Sequence, residues 1–225
     1  MLVVLSIADY YYAIVLPKHE KDAVALTHIS LLFLLTTTIL VALSVLFSTP
    51  ISMIFKSPNL VKYYWLMPLY VLIMGMWNVL NYWYIRKKSF GRISGYQMSQ
   101  SILSAGGKLG LGYAGVLQGG MIYATVIAPF IALLSSLLLS FRKTLRPLLF
   151  FSKIDVLTQA RVYRNFPCFV LPRSFINVLA GQLPVLLLTP FFGAKYVGLL
   201  SMAVLLAYTP IGTISRAIYQ VLYQH

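Results

Sequence analysis

Three stretches of this chain run for 23 residues or more without a formal charge, and they limit what it can fold into. Residues 23–47 (25 residues), 63–85 (23 residues) and 115–141 (27 residues) contain no Asp, Glu, Lys or Arg. As helices rising ~1.5 Å per residue, each reaches ~34–40 Å, enough to cross a ~30 Å hydrocarbon core. Residues 166–192 and 196–219 are also long enough. The first contains Arg173 and four prolines (Pro167, Pro172, Pro184, Pro190), and the second has Pro210 and Arg216 near its end. Residues 93–114 form a weaker span, rich in Gly, Ser and Gln, with Lys108 inside it. Six spans are therefore expected. Residues 1–16 form an apolar stub that carries Asp9 and lacks the basic start of a secretory leader, so it reads as the tail of another spanning helix. The expected class is an all-α integral membrane protein.

Composition agrees. Of 225 residues, 60% are apolar and only 10% are charged; 18 Lys or Arg stand against 4 Asp or Glu, a net charge of +14. A soluble domain cannot hide that much apolar surface, and a disordered basic tail would lack it. The single Cys168 excludes a disulfide scaffold, and with His19, His28 and His225 scattered, no metal site is expected. No cofactor is expected either. Gly110-Leu-Gly112-Tyr-Ala-Gly115 spells a dinucleotide fingerprint but joins two spans, with no strand before it. Gly107-Lys108 lacks the flanking residues of a phosphate-binding loop.

The basic residues are distributed unevenly. With the loop at residues 17–22 in the cytoplasm, 13 basic residues fall on the cytoplasmic side, three (Lys56, Lys62, Lys195) on the other, and Lys108 and Arg173 within spans. This is a strong positive-inside bias. It requires the weak span to cross; otherwise the Arg86–Arg92 cluster and the basic residues of 142–164 lie on opposite faces. Because the charge is split among short loops, it does not form a nucleic-acid surface. Tyr63, Tyr64 and Trp65 open one span and Tyr82, Trp83 and Tyr84 close it, as interfacial aromatic belts do. In the basic connection 142–165, Ile154 and Leu157, with the Arg161 stem, Val156 and Ala160, suggest a short amphipathic helix on the cytoplasmic surface; a solvated linker is the alternative.

Two ionisable groups lie inside spans, where each costs ~2.5–3.5 kcal/mol on insertion scales and so turns towards a bundle interior or a watery cavity. Ser94, Gln97, Ser101, Ser104 and Lys108 are spaced 3, 4, 3 and 4 apart, on one helix face, with Gln100 beside them. Gly91, Gly95, Gly106 and Gly110 give the small-residue spacings of close helix contact. The stripe either lines a cavity or bonds neighbouring helices while Lys108 snorkels outward. Arg173 shares a face with Asn177, four residues on. Gln182, nine on, falls on the opposite face unless Pro184 kinks the helix. Asn78 and Asn81 form a further polar pair. A cavity holding Lys108 and Arg173 has positive potential and suits an anionic cargo such as a phosphate or diphosphate. The four acids (Asp9, Glu20, Asp22, Asp155) supply no outer-face pair for catalysis, so the chain is not expected to be an enzyme.

Four segments carry a family resemblance. Tyr12-Ala-Ile-Val-Leu-Pro-Lys-His-Glu-Lys-Asp-Ala23 resembles the loop after the second helix of Wzx-like polysaccharide (O-antigen, oligosaccharide) flippases, in the multidrug/oligosaccharidyl-lipid/polysaccharide exporter superfamily. The other three are Leu80-Asn-Tyr-Trp-Tyr-Ile-Arg-Lys-Lys-Ser-Phe90, Phe166-Pro-Cys-Phe-Val-Leu-Pro172 with Gln182-Leu-Pro-Val-Leu-Leu-Leu188, and Ala217-Ile-Tyr-Gln-Val-Leu-Tyr-Gln224. They follow the family order along nearly the whole chain. The resemblance implies twelve to fourteen helices in two lobes around a central cavity, and a chain about twice this length. Residues 1–141 are then an incomplete N-terminal lobe, 142–165 the cytoplasmic linker, and 166–225 the first two helices of a C-terminal lobe. One departure stands out: Asp9-Tyr10-Tyr11-Tyr12 occupies the place of an Arg-Tyr-Glu run that the family often shows, which alters any charge pairing there.

The implied activity is to flip an undecaprenyl-diphosphate-linked oligosaccharide across the bacterial inner membrane, for lipopolysaccharide or other surface polysaccharide, alongside other assembly proteins. Arg173 and Lys108 are the expected charge partners of the diphosphate. Asn78, Asn81, Gln97, Gln100 and Asn177 are expected to bond sugar or water. The rival readings are a small-molecule exporter of the same superfamily, which would want an acidic cavity, and a membrane-embedded polymerase or glycosyltransferase, which would want paired outer carboxylates.

Overall fold

A computed structural model describes residues 10–47, 60–113, 119–140, 145–149 and 153–222. No strand occurs among them. Helix α1 (Glu20–Ser44) starts after Pro17, with Glu20 and Asp22 in its first turn, where the helix dipole favours negative charge. Its hydroxyls bond within the helix: Thr27 donates to the Ala23 carbonyl at 2.8 Å, Ser30 to Leu26 at 2.9 Å and Thr38 to Leu34 at 2.7 Å. Back-bonding of this kind lets Ser and Thr sit in an apolar helix without an unsatisfied donor. After a helical turn (Leu60–Tyr64) come α2 (Leu66–Arg86), α3 (Phe90–Tyr113) and α4 (Gly120–Ser140). Then follow α5 (Lys153–Val162), a wide π-type turn (Phe166–Val170) and α6 (Leu171–Leu222).

Four segments are long and apolar enough to cross a membrane: Glu20–Ser44, Lys62–Arg86, Gly120–Ser140 and Phe166–Gly193. The chain is an all-α membrane protein. One of the six expected spans does not reach that standard. The 24-residue α3 has the length but not the apolarity, because its stripe and glycines dilute it. Of the expected span 196–219, the apolar helix Lys195–Tyr208 is described, and the side chains of residues 209–222 lie outside the described residues.

The core forms where α1, α2 and α4 meet. Leu26, Val79, Leu80, Trp83, Tyr84 and Ala132 are essentially closed to solvent. The Tyr84 and Ser136 hydroxyls bond at 3.1 Å, tying α2 to α4. Trp77 of α2 stacks on Tyr96 of α3, centroids 3.3 Å apart and planes 10° from parallel. Such a pair adds ~0.5–1.5 kcal/mol beyond its buried area. Tyr10–Val15 is a tight 3₁₀ turn set against α1 and α2, with Ala13 and Ile14 fully buried. Tyr10 donates to the Ala160 carbonyl at 3.3 Å, so this turn also holds α5.

Several expectations change. Trp83 and Tyr84 are core residues, not a belt, and Tyr64 is buried too; Trp65, 55% exposed, does fit an interfacial anchor. Gly91, Gly95, Gly106 and Gly110 have nothing within 4 Å of a built Cβ, so they pack against no described helix. The close approaches are elsewhere: a Cβ at Gly107 would lie 3.3 Å from that of Ala124, and one at Gly75 would strike Leu34. Helix α6 keeps helical backbone angles through Pro184 and Pro190 and breaks at Gly193, whose φ of 77° and ψ of 164° suit only glycine. On α5, Val156 and Ala160 turn towards the core while Leu157 is exposed, so its apolar contact is with α1. Asp9, Lys56, Arg142 and Lys143 lie outside the described residues, as do the side chains of Arg146, Lys153, Ile154 and Arg216.

Candidate functional site

Tyr96 sets the rotation of α3. It is 2% exposed, held by the Trp77 stack, and its neighbours one and two turns along, Ser99, Gln100 and Leu103, are half-buried on the same side. At ~100° per residue, the centre of the stripe then points ~120° away from that packed side. Ser94, Gln97 and Ser101 accordingly line an open groove of about 460 Å³ with Met98 and Ile102. Ser104 is half-buried at its margin, and Lys108 is exposed beyond it. The sequence spacing therefore does produce one polar face, and that face looks away from the described helices.

The other expected residues do not join it. Gln100 is on the packed side of α3. Asn78 and Asn81 are half-buried on α2, and the Asn81 Oδ1 atom is enclosed without a hydrogen-bond partner among the described residues. Arg173 and Asn177 are both exposed on α6. Neither Arg173 nor Lys108 makes a hydrogen bond or ion pair with a described residue. The described residues thus assemble no closed cationic cavity. They offer a face of hydroxyl and amide groups, which both donate and accept hydrogen bonds.

One basic residue does more than its place in the charge pattern suggests. Arg86 closes α2 and donates through Nη1 to the carbonyls of Ile14 (3.2 Å), Val15 (3.4 Å) and Pro17 (2.7 Å), and through Nη2 to that of His19 (3.2 Å). Beside it, Lys87 pairs with Glu20 at 2.5 Å. These bonds join two of the four segments that carry the family resemblance, Tyr12–Ala23 and Leu80–Phe90. The loop before α1 has a fixed shape because its carbonyls, which no helix satisfies, are bound by a guanidinium. Local pattern gave no signal for this, since the partners lie 67 to 72 residues away.

The polysaccharide biosynthesis protein family matches residues 11–224. No curated protein and no solved structure matches the chain. The family match spans both joined segments and all six described α-helices. The chain belongs to the polysaccharide biosynthesis protein family.

Proposed function

We propose that this chain belongs to a flippase that moves a lipid-diphosphate-linked oligosaccharide across the bacterial inner membrane, as a multi-pass protein and without a covalent step. The observation that carries this reading is the outward polar face of α3. Ser94, Gln97 and Ser101 line an open groove on a helix that packs along the apolar α4. Family membership directs the reading to polysaccharide, and a carbohydrate is bonded by hydroxyl and amide groups such as these. The face would look into a cavity closed by a second lobe, with residues 142–165 as the linker between lobes. Lys108 and Arg173 would meet the diphosphate only when both lobes surround it. Cargo contacts that persist through the crossing state would stabilise it in either orientation.

Deleting the gene and assaying the cell tests this. Surface polysaccharide should be lost, and its lipid-linked repeat should accumulate on the cytoplasmic face. Unchanged surface polysaccharide would remove the proposal. Normal export by a Lys108→Gln/Arg173→Gln variant at normal protein level would remove those two charges from the mechanism.

A further inference from the structure

The other end of the α1–α2 pair holds a separate pocket. Lys18, Glu20, Arg86, Lys87 and Lys88, with two apolar side chains, line about 410 Å³. Two of the cations are committed: Arg86 to the loop carbonyls and Lys87 to Glu20, the only carboxylate among the described lining residues. Lys18 and Lys88 are exposed and make no side-chain bond to a described residue. The lining is therefore positive in excess, with two ammonium groups uncommitted.

The backbone adds an independent observation. Helix α2 ends with the Ser89 N–H donating to the Tyr84 carbonyl and the Lys88 N–H to that of Ile85, both at 2.9 Å. In this termination the residue at position 88 is left-handed, and glycine is its usual occupant. Lys88 sits there at φ 50°. A non-glycine residue in this conformation costs stability and is a reason to look for a function. Depth points to the ligand. Glu20 opens one crossing helix and Arg86 closes another, so the pocket lies at the bilayer boundary, the level of lipid phosphates.

We propose that this pocket is a phosphate-group site, with Lys18 and Lys88 holding the phosphodiester of an anionic lipid headgroup or a free phosphate ion. It does not rest on the flippase reading. The test uses the full chain purified in detergent. Binding is measured for dioctanoyl phosphatidylglycerol, for inorganic phosphate, and for dioctanoylglycerol, which lacks the phosphate. Phosphatidylglycerol should bind and dioctanoylglycerol should not. At about fivefold per surface lysine, Lys18→Gln and Lys88→Gln should each weaken binding by that factor and together by about 25-fold. Lys88→Gly separates site from fold: it suits the left-handed backbone, so thermal stability should hold or rise while binding falls as in Lys88→Gln. Inorganic phosphate that binds with the same lysine dependence supports the site and assigns it to the free ion. Binding of both phosphate probes unchanged in the double variant, or dioctanoylglycerol binding as tightly, overturns the proposal.

Discussion

The Arg86 guanidinium lies 2.7 Å from the carbonyl oxygen of Pro17, the shortest of four such bonds to the loop before α1. Hydrogen bonds to a charged group are worth ~1.5–3 kcal/mol, and the carbonyls left behind would be only partly rehydrated. Arg86→Gln should therefore destabilise the protein by about 2–3 kcal/mol. Arg86→Lys should fall between the two, because one ammonium cannot reproduce the planar fork. Thermal unfolding in detergent measures both, and an Arg86→Gln variant as stable as the parent refutes the prediction.

A second prediction concerns Gly75. A Cβ there would strike Leu34, a residue 1% exposed on α1. Overpacking typically costs 1–3 kcal/mol, near the low end when a side-chain tip can move. Gly75→Ala should cost about 1 kcal/mol and Gly75→Leu more. Leu34→Ala costs stability alone but should relieve the Gly75→Leu penalty, so a double-mutant cycle should show a favourable coupling above about 0.5 kcal/mol. Gly95→Ala and Gly106→Ala meet no described residue and should gain about 0.5–1 kcal/mol from lower chain entropy in the unfolded state.

Two tyrosines should respond oppositely to the same change. The Tyr84 hydroxyl bonds Ser136, whereas the Tyr96 hydroxyl is buried without a partner among the described residues. Tyr84→Phe should lose about 1 kcal/mol. Tyr96→Phe keeps its stack on Trp77, sheds an unsatisfied group, and should be neutral or stabilising. Equal losses in denaturation would show that Tyr96 has a partner after all.

The polar face of α3 can be tested apart from stability. Gln97 and Ser101 are exposed, so Gln97→Leu/Ser101→Leu should leave membrane protein levels intact. Surface polysaccharide, measured on those cells, should fall at least severalfold. Unimpaired export would take this face out of the cargo path.

The membrane made much of this fold legible. A lipid solvent imposes composition on the chain, so α1, α2 and α4 are visible as charge-free runs. Periodicity also placed Ser94, Gln97 and Ser101 on one face. It could not say what that face meets, because the rotation of α3 is set by Tyr96 against Trp77, a contact between helices. Trp83 and Tyr84 resemble a belt for a related reason: aromatic residues at a helix end look alike whether lipid or protein covers them. The glycines of α3 have the spacing of a packing motif, but only register decides which one meets a neighbour, and it is Gly107. Arg86 was read as one charge in an orientation signal, and its partners are far away along the chain.

Glycine 193 sets a limit of a different kind. As an unbroken helix, the 52 residues of α6 would form a rod ~78 Å long, more than twice the thickness of the hydrocarbon core. A rod of that length must leave the bilayer on one side. The backbone at Gly193 adopts a conformation closed to residues with a side chain, so the chain can stop one helix and begin another there. Whether α6 is one overlong rod or two segments of bilayer size thus depends on a single hydrogen atom standing where every other residue carries a carbon.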